Sequence, residues 1–193
     1  MTKGEDTKTA ILEAGVDLAS RLGLESVTIG ALAKATNLSK SGLFAHFQSR
    51  ENLQIEILRY AGGLFAEVVV VPALKTTAGN KRIEALVNNW QQWEADLTGG
   101  CIFVAATSDL KNRPGKVREY LIQQQKAWID TLRRIAESAI RVGDFREEID
   151  LDQFSFELYS LLLGFHLYDK LLNYEDIEQR QQTALKQLIS AYR

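Results

Sequence analysis

The sequence VTIGALAKATNLSKSGLFAHFQSRENL, residues 27–53, contains two short helical patterns that are separated by a three-residue turn. Thr28 and Ser39 stand directly before the two patterns, where a side-chain oxygen can cap the first turn of a helix. In the second pattern, Leu43 and Phe47 recur at helical spacing and are expected to pack against a core. The small and charged residues around Lys40 should therefore face away from that core and be available to a partner.

Length and composition fit one medium-sized soluble domain, or a small module joined to a larger one. The chain has 193 residues, of which 46% are hydrophobic and 25% charged, and its formal net charge is -2. This charge gives no overall basic field, and the charges within residues 1–55 also balance. A nucleic-acid partner is still possible, because a small footprint needs few cations.

The small number of cysteines and histidines limits which disulfides and metal sites the chain can form. A single cysteine, Cys101, excludes an intrachain disulfide and is typical of a reducing compartment. We interpret it as a buried thiol, with oxidant sensing as the alternative. With two histidines and one cysteine, we expect no metal site and no cofactor. No signal-like segment or run of about 18 apolar residues is visible, so we expect a cytoplasmic protein.

Helical periodicity continues through the rest of the chain, which contains only two prolines. The first helix should begin after Asp6 or Thr7, and Pro72 should end the fourth. VVVV, residues 68–71, is ambiguous because β-branched residues favour strands. We interpret it as the end of a buried helix, since no partner strand is visible. Further helices are predicted around residues 83–97, 117–142, 150–173 and 177–189, which gives an all-α fold.

The string TIGALAKATNLSKSGLFAHFQSRENL, residues 28–53, resembles the amino-terminal DNA-binding domain of the TetR/AcrR family of bacterial transcriptional regulators. The resemblance covers about residues 5–60, and GGCIFVAATSDLKNRPGKVREYL, residues 99–121, is similar to one branch of the family. It implies a three-helix helix-turn-helix domain at residues 1–50. A helical ligand-binding and dimerisation domain would follow at residues 51–193, with a helix from about residue 50 linking the two. The residues that carry the match are Thr28, the Ile-x-x-Leu-Ala core, Leu38-Ser39, Leu43-Phe44, His46-Phe47 and Arg50.

The predicted DNA contacts combine this resemblance with side-chain chemistry. Hydroxyl groups and cations at the start of a helix can meet base edges or phosphates in a major groove about 12 Å wide. The family has other residues at two of these positions, often tyrosine at Phe44 and a side chain at Gly42. Core packing of Phe44, capping by His46 and simple solvation of Lys40 are the alternatives. The predicted DNA-binding residues are Thr28, Ser39, Lys40, Ser41, Gly42, Phe44, His46 and Arg50.

The resemblance also implies an effector site and a dimer interface in the second domain. Aromatic and polar residues that could line the effector site, each of which could instead be core, are Trp90, Trp93, Phe103, Trp128, Tyr159 and His166. Residues 154–172 carry apolar side chains nearly all round a helix, more than one internal face requires. With the final helix they predict an interface that includes Phe154, Leu158, Leu161, Leu162, Phe165 and Leu188.

These observations predict a homodimeric, ligand-responsive transcriptional regulator, in such families most often a repressor. It would bind a palindromic double-stranded operator and a small organic effector, without a membrane partner. One alternative is a protein-binding adaptor that has lost DNA binding, against which Lys40 and Arg50 argue. Another is a helical enzyme that uses Glu94, Asp96 or Asp109 as acid or base, but the sequence shows no nucleophile–base pair, metal cluster or phosphate loop.

Overall fold

The structure is a computed structural model that describes residues 3–193. No β-strand occurs among these residues, so the predicted all-α fold is confirmed. A 3-10 turn (Leu24–Ser26) follows the first helix and a π-helical turn (Ala66–Val70) follows the fourth. The α-helices of the described chain are α1 (Lys3–Leu22), α2 (Ile29–Thr36), α3 (Lys40–Phe47), α4 (Arg50–Phe65), α5 (Val71–Lys75), α6 (Asn80–Asp96), α7 (Ile102–Leu110), α8 (Lys116–Arg141), α9 (Leu151–Lys170) and α10 (Ile177–Ala191).

The helices form two compact units. The first unit contains the described residues up to Phe65 together with Ala95–Gln124. The second unit contains Ala66–Glu94 and Gln125–Arg193. The predicted domain boundary at residue 50 concerns which part of the chain binds DNA, and it stays a prediction.

In the first unit, α1 packs against α2, α4 and α7. Two glycines allow this close approach. A Cβ at Gly15 would lie 2.4 Å from a side-chain carbon of Ile57 in α4, and one at Gly99 would lie 1.8 Å from the carbonyl oxygen of Ser20. The Ser20 hydroxyl joins the same two segments, because it donates to the carbonyl of Gly100 and accepts from the amide of Gly99. These contacts fix α1 against α2, α4 and α7. Helix α3 in turn packs against α2 and α4.

The second unit is built on the inner sides of α6, α8, α9 and α10. Trp90 of α6 is buried and meets the ring of Phe165 edge-on at a centroid distance of 6.1 Å. Phe154 at the start of α9 lies edge-on to Phe145 at 5.2 Å and to Tyr192 at 5.0 Å. These ring contacts anchor both ends of α9 inside the unit.

The chain from α4 to α5 differs in detail from the prediction. Residues 68–71 are helical as predicted, but only Val69 is fully buried, whereas Val68 and Val71 are exposed. Pro72 does not end the helix, since it lies in the first turn of α5. The π-helical turn Ala66–Val70 comes shortly before it, within one helical run from Arg50 to Lys75.

The helical run Arg50–Lys75 contains an 18-residue window with a mean hydropathy of 1.6, so by length and composition it could cross a membrane. By this measure, the expectation that no segment reaches spanning length does not hold. One such run is weak support for a membrane span, because core helices of soluble proteins have the same length and composition.

Candidate nucleic-acid interface

The turn between α2 and α3 has the caps that the sequence predicts. The Thr28 hydroxyl accepts a hydrogen bond from the amide of Ala31 at 3.0 Å, and the Ser39 hydroxyl accepts one from the amide of Gly42 at 3.1 Å. Between the helices, Asn37 adopts a left-handed conformation with φ of 55°, which asparagine tolerates better than most residues. These local interactions fix where α3 begins and how it leaves α2.

Helix α3 has one packed side and one exposed side. Leu43 and Phe47 are buried in the first unit, as predicted. Phe44 is 56% exposed, so the alternative that it packs in the core is wrong for this chain. The exposed side, which we call the α3 surface, consists of Ser39, Lys40, Ser41, Gly42, Phe44 and His46.

Lys40 lies beside the first turn of α2. Its Cε atom is 3.7 Å from the point that a Cβ on Gly30 would occupy, and the Thr28 hydroxyl oxygen is 3.9 Å from the same point. The first amides of a helix lack helical partners and carry partial positive charge. An ammonium group next to them makes this corner of the first unit suitable for a phosphate oxygen.

Arg50, the predicted basic anchor at the start of α4, has partners within the first unit. Its Nη2 atom is 3.1 Å from Oε2 of Glu25, and its Nε atom donates to the carbonyl oxygen of Val27 at 3.4 Å. Arg113 reaches the same Glu25 oxygen at 2.6 Å. The guanidinium of Arg50 therefore braces the turn before α2, a role that the sequence pattern did not reveal.

The predicted effector residues are distributed over both units. Phe103 belongs to the first unit, and the other five belong to the second. Within the second unit, Trp90, Trp93 and Trp128 are buried, whereas Tyr159 and His166 are half-buried.

Two polar pairs accompany these aromatic residues in the second unit. The Tyr159 hydroxyl donates to Oε1 of Gln125 at 2.6 Å, and Nδ1 of His166 lies 2.9 Å from Oε2 of the fully buried Glu94. Glu94 follows Trp90 by four residues on α6, so the two side chains share one side of that helix. Sequence reasoning considered Glu94 only as a catalytic acid and missed it as the partner of His166.

The structure corrects four of the six predicted interface residues. Phe154, Leu158, Leu162 and Phe165 are buried inside the second unit, so no surface of theirs is available to a second copy. Leu161 and Leu188 are half-buried. The apolar residues that α9 does expose are Phe156, Leu163, Leu167 and Tyr168.

Comparisons with known proteins agree with this arrangement of helices. Residues 11–57 match the family described as "Bacterial regulatory proteins, tetR family". Residues 79–185 match "Tetracyclin repressor-like, C-terminal domain". The HTH-type transcriptional repressor KstR2 of Rhodococcus jostii (strain RHA1) is 26% identical over 151 residues, which cover 75% of this chain and 71% of that protein.

Solved structures share the fold over nearly the whole chain. A TetR-family transcriptional regulator from Cytophaga hutchinsonii superposes with a TM-score of 0.86 at 21% identity, covering 100% of this chain and 97% of its own. AibR, solved in complex with isovaleryl coenzyme A and operator DNA, gives a TM-score of 0.74 at 21% identity and coverages of 95% and 98%. The two family matches together cover most of the chain, and the match to residues 79–185 alone covers more than half of it. The protein therefore belongs to the tetR family of bacterial regulatory proteins and is a DNA-binding transcriptional regulator.

Proposed function

We propose that the protein is a cytoplasmic, effector-responsive repressor whose homodimer inserts one α3 surface per copy into the major groove of a palindromic operator. The observation that carries this proposal is the α3 surface itself. One side of α3 is fixed by Leu43 and Phe47, while small polar residues, a lysine and an exposed aromatic ring occupy the other. A rigid helix of this kind can bring its first residues close to base edges.

Different residues of the α3 surface would contact different parts of the DNA. Thr28 caps the start of α2 and Lys40, the first residue of α3, lies beside it, so both would contact phosphates, which fix position without reading sequence. Ser39 and Ser41 would reach base edges, and the exposed ring of Phe44 could contact a thymine methyl group. In a two-fold dimer, the two α3 helices would bind half-sites about 34–36 Å apart.

The second copy would cover the exposed side of α9. Phe156, Leu163 and Leu167 follow each other at helical spacing and form one stripe, with Ser160 between the first two. Large apolar residues that are aligned and exposed mark surfaces of association more often than isolated ones do. Leu161 and Leu188 would lie at the edges of this interface, and α10 packs against α9 within each copy.

The second unit would hold the effector. Its buried tryptophans and the pairs Tyr159–Gln125 and His166–Glu94 provide apolar surface with a few polar groups, the usual composition of small-molecule sites. AibR, which shares the fold, is known with isovaleryl coenzyme A and operator DNA, which supports a small organic effector here. Binding of effector and operator would be coupled reciprocally, by a factor of about 5–150.

The contacts of two candidate catalytic acids, Glu94 and Asp109, also favour regulation over catalysis. Glu94 is paired with His166, and Asp109 accepts a hydrogen bond from the amide of Glu25. Both carboxylates thus have structural uses. The relationship to the repressor KstR2 supports repression as the direction of control.

Selection from a random double-stranded DNA pool tests the proposal. The full-length protein should enrich a palindrome, and a Lys40→Ala, Ser41→Ala double variant should enrich it poorly while remaining helical by circular dichroism. Lys186→Ala is the matched control, because Lys186 is an exposed lysine of α10 outside the proposed interface with DNA. Failure of the wild-type protein to enrich any sequence would favour the adaptor alternative.

A further inference from the structure

A cleft of about 330 Å³ lies in the first unit, between the start of α4 and the segment that leads from α7 into α8. Three arginines line it, namely Arg50, Arg113 and Arg118. Leu110 and Val117, both largely buried, supply an apolar wall. None of the predicted effector residues lines this cleft, so it is separate from the proposed effector site, and Arg50 is the one predicted DNA-binding residue in its lining.

The three arginines offer more N–H donors than the two carboxylates that line the cleft can accept. Glu25 and Glu51 are the two lining carboxylates. Glu25 already pairs with both Arg50 and Arg113 through one oxygen, at 3.1 and 2.6 Å. Arg118 is half-buried and forms no ion pair with any residue in the described range 3–193. Since each guanidinium has five N–H donors, Arg113 and Arg118 retain donors for another anion.

The start of α8 adds to this positive character. The first helical hydrogen bond there runs from the amide of Glu119 to the carbonyl of Gly115, at 3.0 Å. The amides of residues 116–118 precede it and have no partner within the helix. Gly115, Val117 and Arg118 all line the cleft, so the amino-terminal end of a 26-residue helix meets it.

We propose that this cleft binds a small organic oxyanion, either a carboxylate or a phosphate monoester, with its apolar part against Leu110 and Val117. The oxyanion would accept hydrogen bonds from the guanidinium groups of Arg118 and Arg113, which match carboxylate and phosphate geometry. It would compete with Glu25 for Arg113, and so it would act on the ion pairs that hold the turn before α2 to the start of α4. This inference does not depend on the effector site proposed for the second unit.

Binding of three small probes to the full-length protein tests the class of ligand. Phenyl phosphate and benzoate carry the two oxyanions on an apolar ring, and benzyl alcohol is the neutral counterpart. Titrations followed by the amide resonances of residues 115–118 should show saturable shifts with at least one oxyanion and none with benzyl alcohol. Tighter binding of one oxyanion assigns the cleft to that class, whereas equal binding of all three probes overturns the proposal.

Substitution of Arg118 locates the site. Arg118→Gln should raise the dissociation constant of the tighter oxyanion about tenfold, which corresponds to the loss of a charge-assisted hydrogen bond. Arg21→Gln is the matched control, because it removes the same charge from an exposed position of α1 outside the cleft and should leave binding unchanged. Unchanged affinity in Arg118→Gln overturns the proposal. So does the absence of probe binding together with a reduced salt dependence of operator binding in Arg118→Gln, which would assign the arginine to DNA.

Discussion

Helices α3 and α9 each have a packed side and an exposed side, but the two exposed sides differ in chemistry. On α3, the residues that face solvent include Lys40, Ser41 and His46. On α9 they include Phe156 and Leu163. Both helices are anchored by large apolar residues on the packed side, so the difference lies only in what each offers to a partner.

The cost of leaving each surface in water explains this difference. Exposed apolar area costs roughly 25 cal/mol per Å², so the stripe on α9 gains most from a partner that covers it permanently. The polar surface of α3 is well hydrated when free and can exchange water and ions for phosphates and bases reversibly. A permanent dimer contact and a reversible DNA contact therefore require opposite surfaces.

The neighbouring leucines Leu162 and Leu163 give the sharpest contrast within α9. Leu162 is fully buried in the second unit, and Leu162→Ala should lower the free energy of unfolding by about 2–5 kcal/mol, through lost contacts and a cavity. Leu163 is 39% exposed within one copy, so Leu163→Ala should destabilise the folded copy much less and act mainly on association with the second copy. Urea denaturation at several protein concentrations separates the two effects, because only the loss of association depends on concentration. Equal losses would show that the inner and outer sides of α9 are not distinguished as described.

Leu163→Asp tests the outer side directly. A carboxylate in the middle of an apolar interface is left without a partner, so the dissociation constant of the dimer should rise at least a hundredfold, or about 3 kcal/mol. Sedimentation velocity measures this shift, with Lys126→Asp as the control at an exposed position of α8. A wild-type protein that is monomeric at micromolar concentration would remove this interface from the proposal.

The same comparison shows what the sequence could predict. In α3 the apolar residues Leu43 and Phe47 fall on one side, so the pattern distinguished the packed side from the exposed one. In α9 apolar residues occur nearly all round, and the pattern could not decide which of Leu162 and Leu163 is internal. That choice depends on the helices that pack against α9, and for this reason four of the six predicted interface residues are ones that the structure buries.

Other parts of the site depended on contacts that are distant in sequence. The caps of Thr28 and Ser39 are local, and the prediction of both is confirmed. The ion pair between Arg50 and Glu25 spans 25 residues, and the pair between His166 and Glu94 spans 72. The helical spacing of apolar residues in the sequence does not identify such distant partners. The family resemblance located the surface that should bind DNA, and the contact between each residue and DNA stays a prediction.

Lys40 and Arg50 are basic residues near α3 with different expected roles, the first in contact with DNA and the second in an ion pair within the protein. Lys40→Ala should weaken operator binding across sequences and reduce the slope of log affinity against log salt by about one. Arg50→Ala should change the slope less and lower the free energy of unfolding by up to about 1 kcal/mol, because it removes the partly exposed ion pair with Glu25. Filter binding at several salt concentrations measures the slopes. An unchanged slope in Lys40→Ala would exclude this lysine from the DNA footprint.

The smallest expected effect concerns the inner side of α9, where the Tyr192 hydroxyl donates to Oε2 of Glu157 at 3.1 Å. Burial, followed by this hydrogen bond, raises the pKa of Tyr192 from 10.0 to about 12. Below pH 10 both the folded and the unfolded chain keep the phenol protonated, so the contribution of Tyr192 to stability is fully present. Between pH 10 and about 12 the unfolded chain loses this proton first, and that contribution declines.

Tyr192→Phe should therefore be less stable than the parent at pH 9, because the bond to Glu157 is lost, and the difference should shrink as the pH rises above 10. The other five tyrosines are the same in both proteins, so the difference between the two urea denaturation series isolates Tyr192. The α3 surface provides the comparison, because its residues are exposed, and Lys40→Ala should follow the parent over the same pH range. A constant difference between Tyr192→Phe and the parent up to pH 11.5 would show that this phenol titrates normally in the folded chain. The packing of α9 against the end of the chain would then be looser than the ring contacts of Tyr192 indicate.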